Sequence, residues 1–356
     1  MQESFNPTRL GTNESMPQND LKLNRLRRVL TVISLSCAFL GVVGLGAGIP
    51  KNAYAADAWP DRPIKLVVPA GPGGSADPLA RMLAEELGKN LGQSFIVENK
   101  PGANGNLGST SVVRSAADGY TLLFSWTGTL VPANTLYHNK AYDPQADLAP
   151  IVMIGSVPNI IVVQPSLKID SLPALTAYAK KNPEKLNFGS TGSGSSYHLS
   201  GELYKKTQDV SMTHVPYSSP SAVFTDLLGG RLQLAFPGVT AAAPFVQNGR
   251  LQALAVMADQ RSSMLPNVPT TVELGYPTLL SDTWFGLLAP KGTPIEIRQK
   301  VNEAVNTLLK TPAFRDKLVS MGYVPLGGTI DKFTKTIDSD ITKWGEVVKF
   351  SGAKID

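Results

Sequence analysis

The 356-residue chain has one cysteine, three histidines and few aromatic residues, 7% of the total. Cys37 lies in an apolar run near the start, so the rest of the chain carries no thiol. Disulfides, thiolate metal sites and a cysteine nucleophile are thereby excluded there, as suits an oxidising compartment. His138, His198 and His214 fall in no H-E-x-x-H frame, and there is no G-x-S-x-G elbow or G-x-x-x-x-G-K-[ST] loop. Hydrolase and nucleotide readings therefore lack their residues, and no cofactor is expected. A strong charge of one sign is also missing. The formal charge is +5, but six of the 33 Lys and Arg and only three of the 28 Asp and Glu lie in residues 1–55. What remains is close to balance, and nothing in it asks for nucleic acid.

Only one long apolar run is present. It follows Lys22, Arg25, Arg27 and Arg28, extends from Val29 to Pro50, and precedes Ala53-Tyr54-Ala55, a small-x-small processing pattern. Residues 1–55 read as a secretory leader cut after Ala55, giving a soluble exported chain. A retained anchor is the alternative, since the run is long enough to span a bilayer. Gly41, Gly44, Gly46 and Gly48 argue for removal. Arg27-Arg28 hints at twin-arginine export, with the general secretory route preferred.

After the leader, short β-branched runs such as "IKLVV", "YTLLF", "NIIVV" and "LQALAV" alternate with helical patterns at 78–90, 104–116, 172–181, 196–207, 220–228 and 294–310. This predicts an α/β fold of parallel sheets flanked by helices. Ile297, Val301, Val305, Leu308 and Leu309 repeat at helical spacing and read as core. No low-complexity linker interrupts the chain. Two domains joined by more than one crossing segment follow.

Two strand-to-helix turns are rich in glycine. "AGPGGSADPLARMLAEEL" follows "IKLVVP", and "LNFGSTGSGSSYHLSGEL" contains Ser190, Thr191, Ser193, Ser195 and Ser196. Amides from Gly73, Gly74, Ser75 and Ala76, with a helix N-terminus behind them, can receive an anion. Tight turn geometry alone also explains such glycines. Asp77 before Pro78 reads as a helix cap. In open α/β sheets ligands sit outside the carboxyl ends of strands, so two such loops facing one another would form a cleft. His198, just inside the second helix, is placed to contact a ligand or to bond the backbone.

These segments, with "ADGYTLL", "DLLGGRLQLAF", "PNVPTTVELGYP" and "WFGLLAPKGTP", resemble the substrate-binding proteins of tripartite tricarboxylate transporters, the Bug family, from about Trp59 to the C-terminus. The resemblance implies a periplasmic binding protein of two α/β domains, of the type II flytrap kind, closing on a small carboxylate. Its first domain would take 57–157 and return at 279–356, with the second at 158–278. It implies a monomeric chain without catalysis, handing its ligand to membrane permease subunits. Carried over by position, the carboxylate would meet Gly73, Gly74, Ser75 and Ala76 in the first loop and Ser190, Thr191, Gly194 and Ser195 in the second.

The sequence departs from the family pattern at "FSWTGTLVPANTLY", where Trp126 stands beside Gly128. Trp126 either walls the pocket and stacks on an aromatic ligand or packs beneath its loop. Phe236 and Pro237 are the other expected walls. An aromatic acid, terephthalate-like or benzoate-like, is favoured over aliphatic di- and tricarboxylates. A sensory module for a membrane kinase would use the same closed form, and a periplasmic hydrolase is the remaining alternative.

Overall fold

The computed structural model describes residues 59–72, 76–131, 141–183 and 185–353. The leader, Cys37, His138 and the first loop's Gly73, Gly74 and Ser75 lie outside the described residues. Among the described residues, no helix is long and apolar enough to cross a membrane.

The chain opens with β1 (Ile64–Val68), α1 (Ala76–Leu91), β2 (Phe95–Asn99), α2 (Asn106–Val113), β3 (Thr121–Trp126) and the short α3 (Thr127–Leu130) and α4 (Pro144–Asp147). Then β4 (Leu148–Pro158) leads to β5 (Ile160–Val163), α5 (Leu172–Lys181), β6 (Asn187–Ser190), α6 (Ser196–Gln208) and β7 (Thr213–Pro216). These are followed by α7 (Pro220–Leu228), β8 (Leu234–Ala235), α8 (Val239–Gln247) and β9 (Gln252–Val256). The return comprises β10 (Asp282–Pro290), α9 (Ile295–Lys310), α10 (Pro312–Ser320), β11 (Val324–Pro325) and α11 (Ile330–Ser351). One sheet has the order β11-β4-β10-β3-β1-β2, the other β7-β6-β8-β5-β9.

The sheets are mixed, which corrects the expectation of parallel ones. β1 pairs in parallel with β2 and β3, and β6 with β7 and β8. β10 runs against β3 and β4, and β5 against β8 and β9. The two reversed central strands are those that enter a sheet after the chain crosses over. A strand buried on both faces reads as one apolar run whichever way it points, so composition does not encode its direction. The α9 stripe is core as expected, with Ile297, Val301, Val305, Leu308 and Leu309 all buried. The helix α8 was not foreseen, because Pro244 interrupts its pattern.

Both crossings meet at one buried polar cluster. Asn159, the single residue between β4 and β5, donates its backbone N–H to the Ser281 carbonyl at 2.9 Å, and its own carbonyl accepts from Met257 at 2.8 Å. Its Nδ2 donates to Ser200 Oγ and to the Phe236 carbonyl, each at 2.9 Å. Ser200 Oγ also meets Ser281 Oγ at 2.7 Å and the Ser196 carbonyl at 2.6 Å, so α6 is tied to both crossings. Asn159→Ala leaves the Phe236 carbonyl without this donor, while Ser200 Oγ keeps Ser196 and Ser281, and is expected to cost about 1–3 kcal/mol. Urea unfolding measures it.

Candidate functional site

A cleft of about 600 Å³ lies where helices begin. From the first sheet come Ala70, Ala76 at the start of α1, Asn104, Trp126 and Gly128; from the crossings, Val157, Thr283 and Phe285. The second sheet supplies Thr191, Ser195, Ser196 and Tyr197 around the start of α6, Pro220 and Ser221 at the start of α7, and Gly238, Thr240 and Ala241 at the start of α8. Four helices of eight residues or more thus present N-terminal turns to one space. Their first amides lack intrahelical acceptors, and their dipoles favour negative charge there. No Lys, Arg, Asp, Glu or His is among the described residues lining the cleft.

The first loop is represented by its flanks. Ala70 and Ala76 line the cleft on either side of residues 73–75. Asp77 is not the helix cap: Ala76 is already helical, and the Asp77 carboxylate accepts from Arg81 Nε at 3.1 Å and from Asn99 Nδ2 at 2.9 Å. The carboxylate is thus engaged by neighbours on α1 and β2.

Trp126 occupies the extended position before α3, and its ring lies 6.4 Å from that of Phe285. A Cβ on Gly128 would sit 3.3 Å from Trp126 Nε1, so a larger residue there would crowd the indole. Asn104 Nδ2 donates to the Gly128 carbonyl at 3.3 Å, tying this wall to the segment before α2.

In the second loop the predicted residues separate. Thr191 and Ser195 line the cleft, and Ser195 caps α6 by accepting from the His198 amide at 3.3 Å. Ser190 is fully buried, with Oγ 2.6 Å from His214 Nε2 and 3.1 Å from the Gly192 amide. That serine–histidine pair is shut off from the cleft. Gly194 also stays off the lining, and its N–H is already donated to His198 Nδ1 at 3.1 Å. His198 is 2% exposed and stacks parallel to Phe188, with the His214 ring 4.0 Å away. Burial, then His214 and Lys205, push the His198 pKa down to about 3. Burial, with a smaller contribution from Lys205, pushes that of His214 down to about 4, so both rings are neutral at pH 7.

Phe236 and Pro237 do not form walls. Phe236 is fully buried against Phe188 and Tyr204, and the Pro237 carbonyl accepts from Ile160. The chain reaches the cleft at Gly238. Sequence reasoning missed Ser196 and Tyr197 as lining groups, along with Asn104, Pro220, Ser221, Thr240 and Phe285. Ser219 before Pro220 was the available signal, since its side chain caps α7 by accepting from Ala222. Tyr197 is hydrogen-bonded to the Gly238 backbone, and burial lifts its hydroxyl to about 12, leaving it neutral.

The two sheets, the paired crossings and the cleft define a two-domain solute-binding protein. Residues 79–353 match the model of the tripartite tricarboxylate transporter family receptor, and the chain belongs to that family. It is 37% identical to BugT of Bordetella pertussis over 93% of this chain and 99% of that one. An R. palustris protein solved with adipate superposes at a TM-score of 0.73 with 36% identity, covering 83% of this chain and all of that one. MatC from Rhodopseudomonas palustris, solved with bound malate, gives 0.70 with 30% identity, over 82% and 100%. The family is one of binding proteins, not enzymes.

Proposed function

We propose that this protein is a periplasmic receptor that closes on a small organic carboxylate and presents it to the membrane permease subunits of a tripartite transporter. The observation that carries this reading is a cleft into which four helix N-termini open, with no cationic side chain among its described lining residues. Amides and hydroxyls bind an anion without ordering a long side chain, and each helix end adds about 0.3–1 kcal/mol or somewhat more when sheltered. Such a site releases its ligand readily, as delivery requires. The relatives solved with adipate and malate support a dicarboxylate.

One carboxylate is received by the amides of Ser196 and Tyr197 and the hydroxyls of Thr191 and Ser196, with Ala76 at the start of α1 facing them across the cleft. Ser190 and Gly194 drop out of that shell, because His214 and His198 hold them. The moving bodies are 57–157 with 279–356, and 158–278. Calorimetric titration with adipate tests the reading. Micromolar or tighter binding supports it, and no binding by any of a panel of mono-, di- and tricarboxylates overturns it.

Trp126 and Phe285 favour a second, finer reading, in which the acid carries an aromatic body. Stacking on the indole adds about 0.5–1.5 kcal/mol beyond area burial. Trp126→Ala is therefore expected to weaken terephthalate more than cyclohexane-1,4-dicarboxylate, by about threefold to tenfold, in side-by-side calorimetry. Equal losses for the two acids would leave the indole as a wall only.

A further inference from the structure

We propose that His198 is the positioning residue of the second loop, holding Gly194 by its Nδ1 lone pair so that the amides and hydroxyls left for an anion are those of Thr191, Ser196 and Tyr197. This rests on the carboxylate reading above. The loop turns at two left-handed glycines, Gly192 at φ +108° and Gly194 at φ +82°, and each glycine's N–H is taken by a side chain of the protein. Gly192 donates to Ser190 Oγ, itself 2.6 Å from His214 Nε2, and Gly194 donates to His198 Nδ1 at 3.1 Å. The Ser195 amide turns back to the Gly192 carbonyl at 3.2 Å. Ser196 and Tyr197 occupy the first two helical positions, whose amides have no intrahelical acceptor.

An imidazole accepts at Nδ1 only when neutral and protonated at Nε2. His198 sits where that form is enforced. Its Nε2 faces Glu202 Oε1 at 3.9 Å, the other oxygen of Glu202 has no partner, and Lys205 pairs with Glu202 at 2.9 Å. The ring lies 4.0 Å from that of His214 and parallel to that of Phe188 at 6.5 Å. The charged and titratable groups facing it are thus Glu202 and Lys205 on its own helix and His214 on β7. Charging the ring would place a proton on Nδ1, facing the Gly194 N–H.

The test separates an acceptor from a space-filler. In His198→Asn the side-chain oxygen takes nearly the place of Nδ1, whereas His198→Leu keeps bulk and loses the acceptor. With adipate and terephthalate as calorimetric probes, the Asn variant is expected to bind within about threefold of native and the Leu variant about tenfold or more weaker, on the scale of one buried hydrogen bond. Native-like binding by the Leu variant, or an equal loss in both, overturns the proposal. Nitrogen-15 shifts of the native ring and exchange of the Gly194 amide decide the matter without ligand or variant. A protonated Nε2, a bare Nδ1 and a protected amide support the proposal; a protonated Nδ1 or a freely exchanging amide overturns it. Failure of the native protein to bind either acid would count against the carboxylate reading, and the nitrogen-15 result would still decide the role of His198.

Discussion

Ser196→Asp is expected to abolish carboxylate binding while leaving the fold as stable as before or slightly more so. Ser196 is the first residue of α6 and lines the cleft. An acid at a helix N-terminus gains about 0.3–1 kcal/mol from the dipole, so the melting temperature should hold or rise. The same carboxylate occupies the position offered to the ligand's own. Two like charges ~4 Å apart at an effective dielectric of ~20 repel by about 4 kcal/mol, roughly a thousandfold in affinity. Ser196→Asn, the same size without the charge, separates repulsion from loss of the hydroxyl and should bind within about tenfold of native. Calorimetry with adipate beside thermal melting measures both signs. Retained binding by the Asp variant would place the carboxylate elsewhere.

Acid should destabilise the protein through the imidazole pair of buried His198 and half-buried His214. His198 and His214 have folded pKa values pushed below the ordinary histidine range, to about 3 and about 4, chiefly by burial. The unfolded chain therefore takes up these protons first, near pH 6.5, and stability present above that pH is lost as pH falls toward the folded values. Between those limits each histidine contributes a slope of about 1.4 kcal/mol per pH unit. Glu202, Asp282 and Asp340 act in the opposite sense, since burial raises their pKa values and their contribution is lost as pH rises. The double variant His198→Asn, His214→Gln isolates the histidine share. Urea unfolding at pH 7, 5.5 and 4.5 should show a steeper acid loss in the native protein than in the variant. Identical slopes would show that the pair is not held neutral by the fold.

The second glycine-rich loop and the α6 and α9 helices were legible in the sequence because turn chemistry and helical periodicity are local signals. Strand direction was not: β5 and β10 carry the same kind of apolar run as the strands they run against and are reversed only by the crossings at Asn159 and Ser281. The walls were misplaced by a short step, since Phe236 faces the core and the chain reaches the cleft at Gly238. Gly194 was misread for a different reason. Whether a loop amide is free depends on a partner, and its partner is a histidine one helical turn further on. Pro220, Ser221 and Thr240 come from helix starts far along the chain, and only the fold brings them beside Thr191.

A crystal structure of the protein with adipate tests the central claim most directly. The account predicts one carboxylate in the cleft, within hydrogen-bond distance of the Ser196 and Tyr197 amides and the Thr191 hydroxyl, with no lysine or arginine touching it and with Gly194 still bonded to His198. A carboxylate held by an arginine or lysine, or lying outside the space between Trp126 and α6, would contradict it.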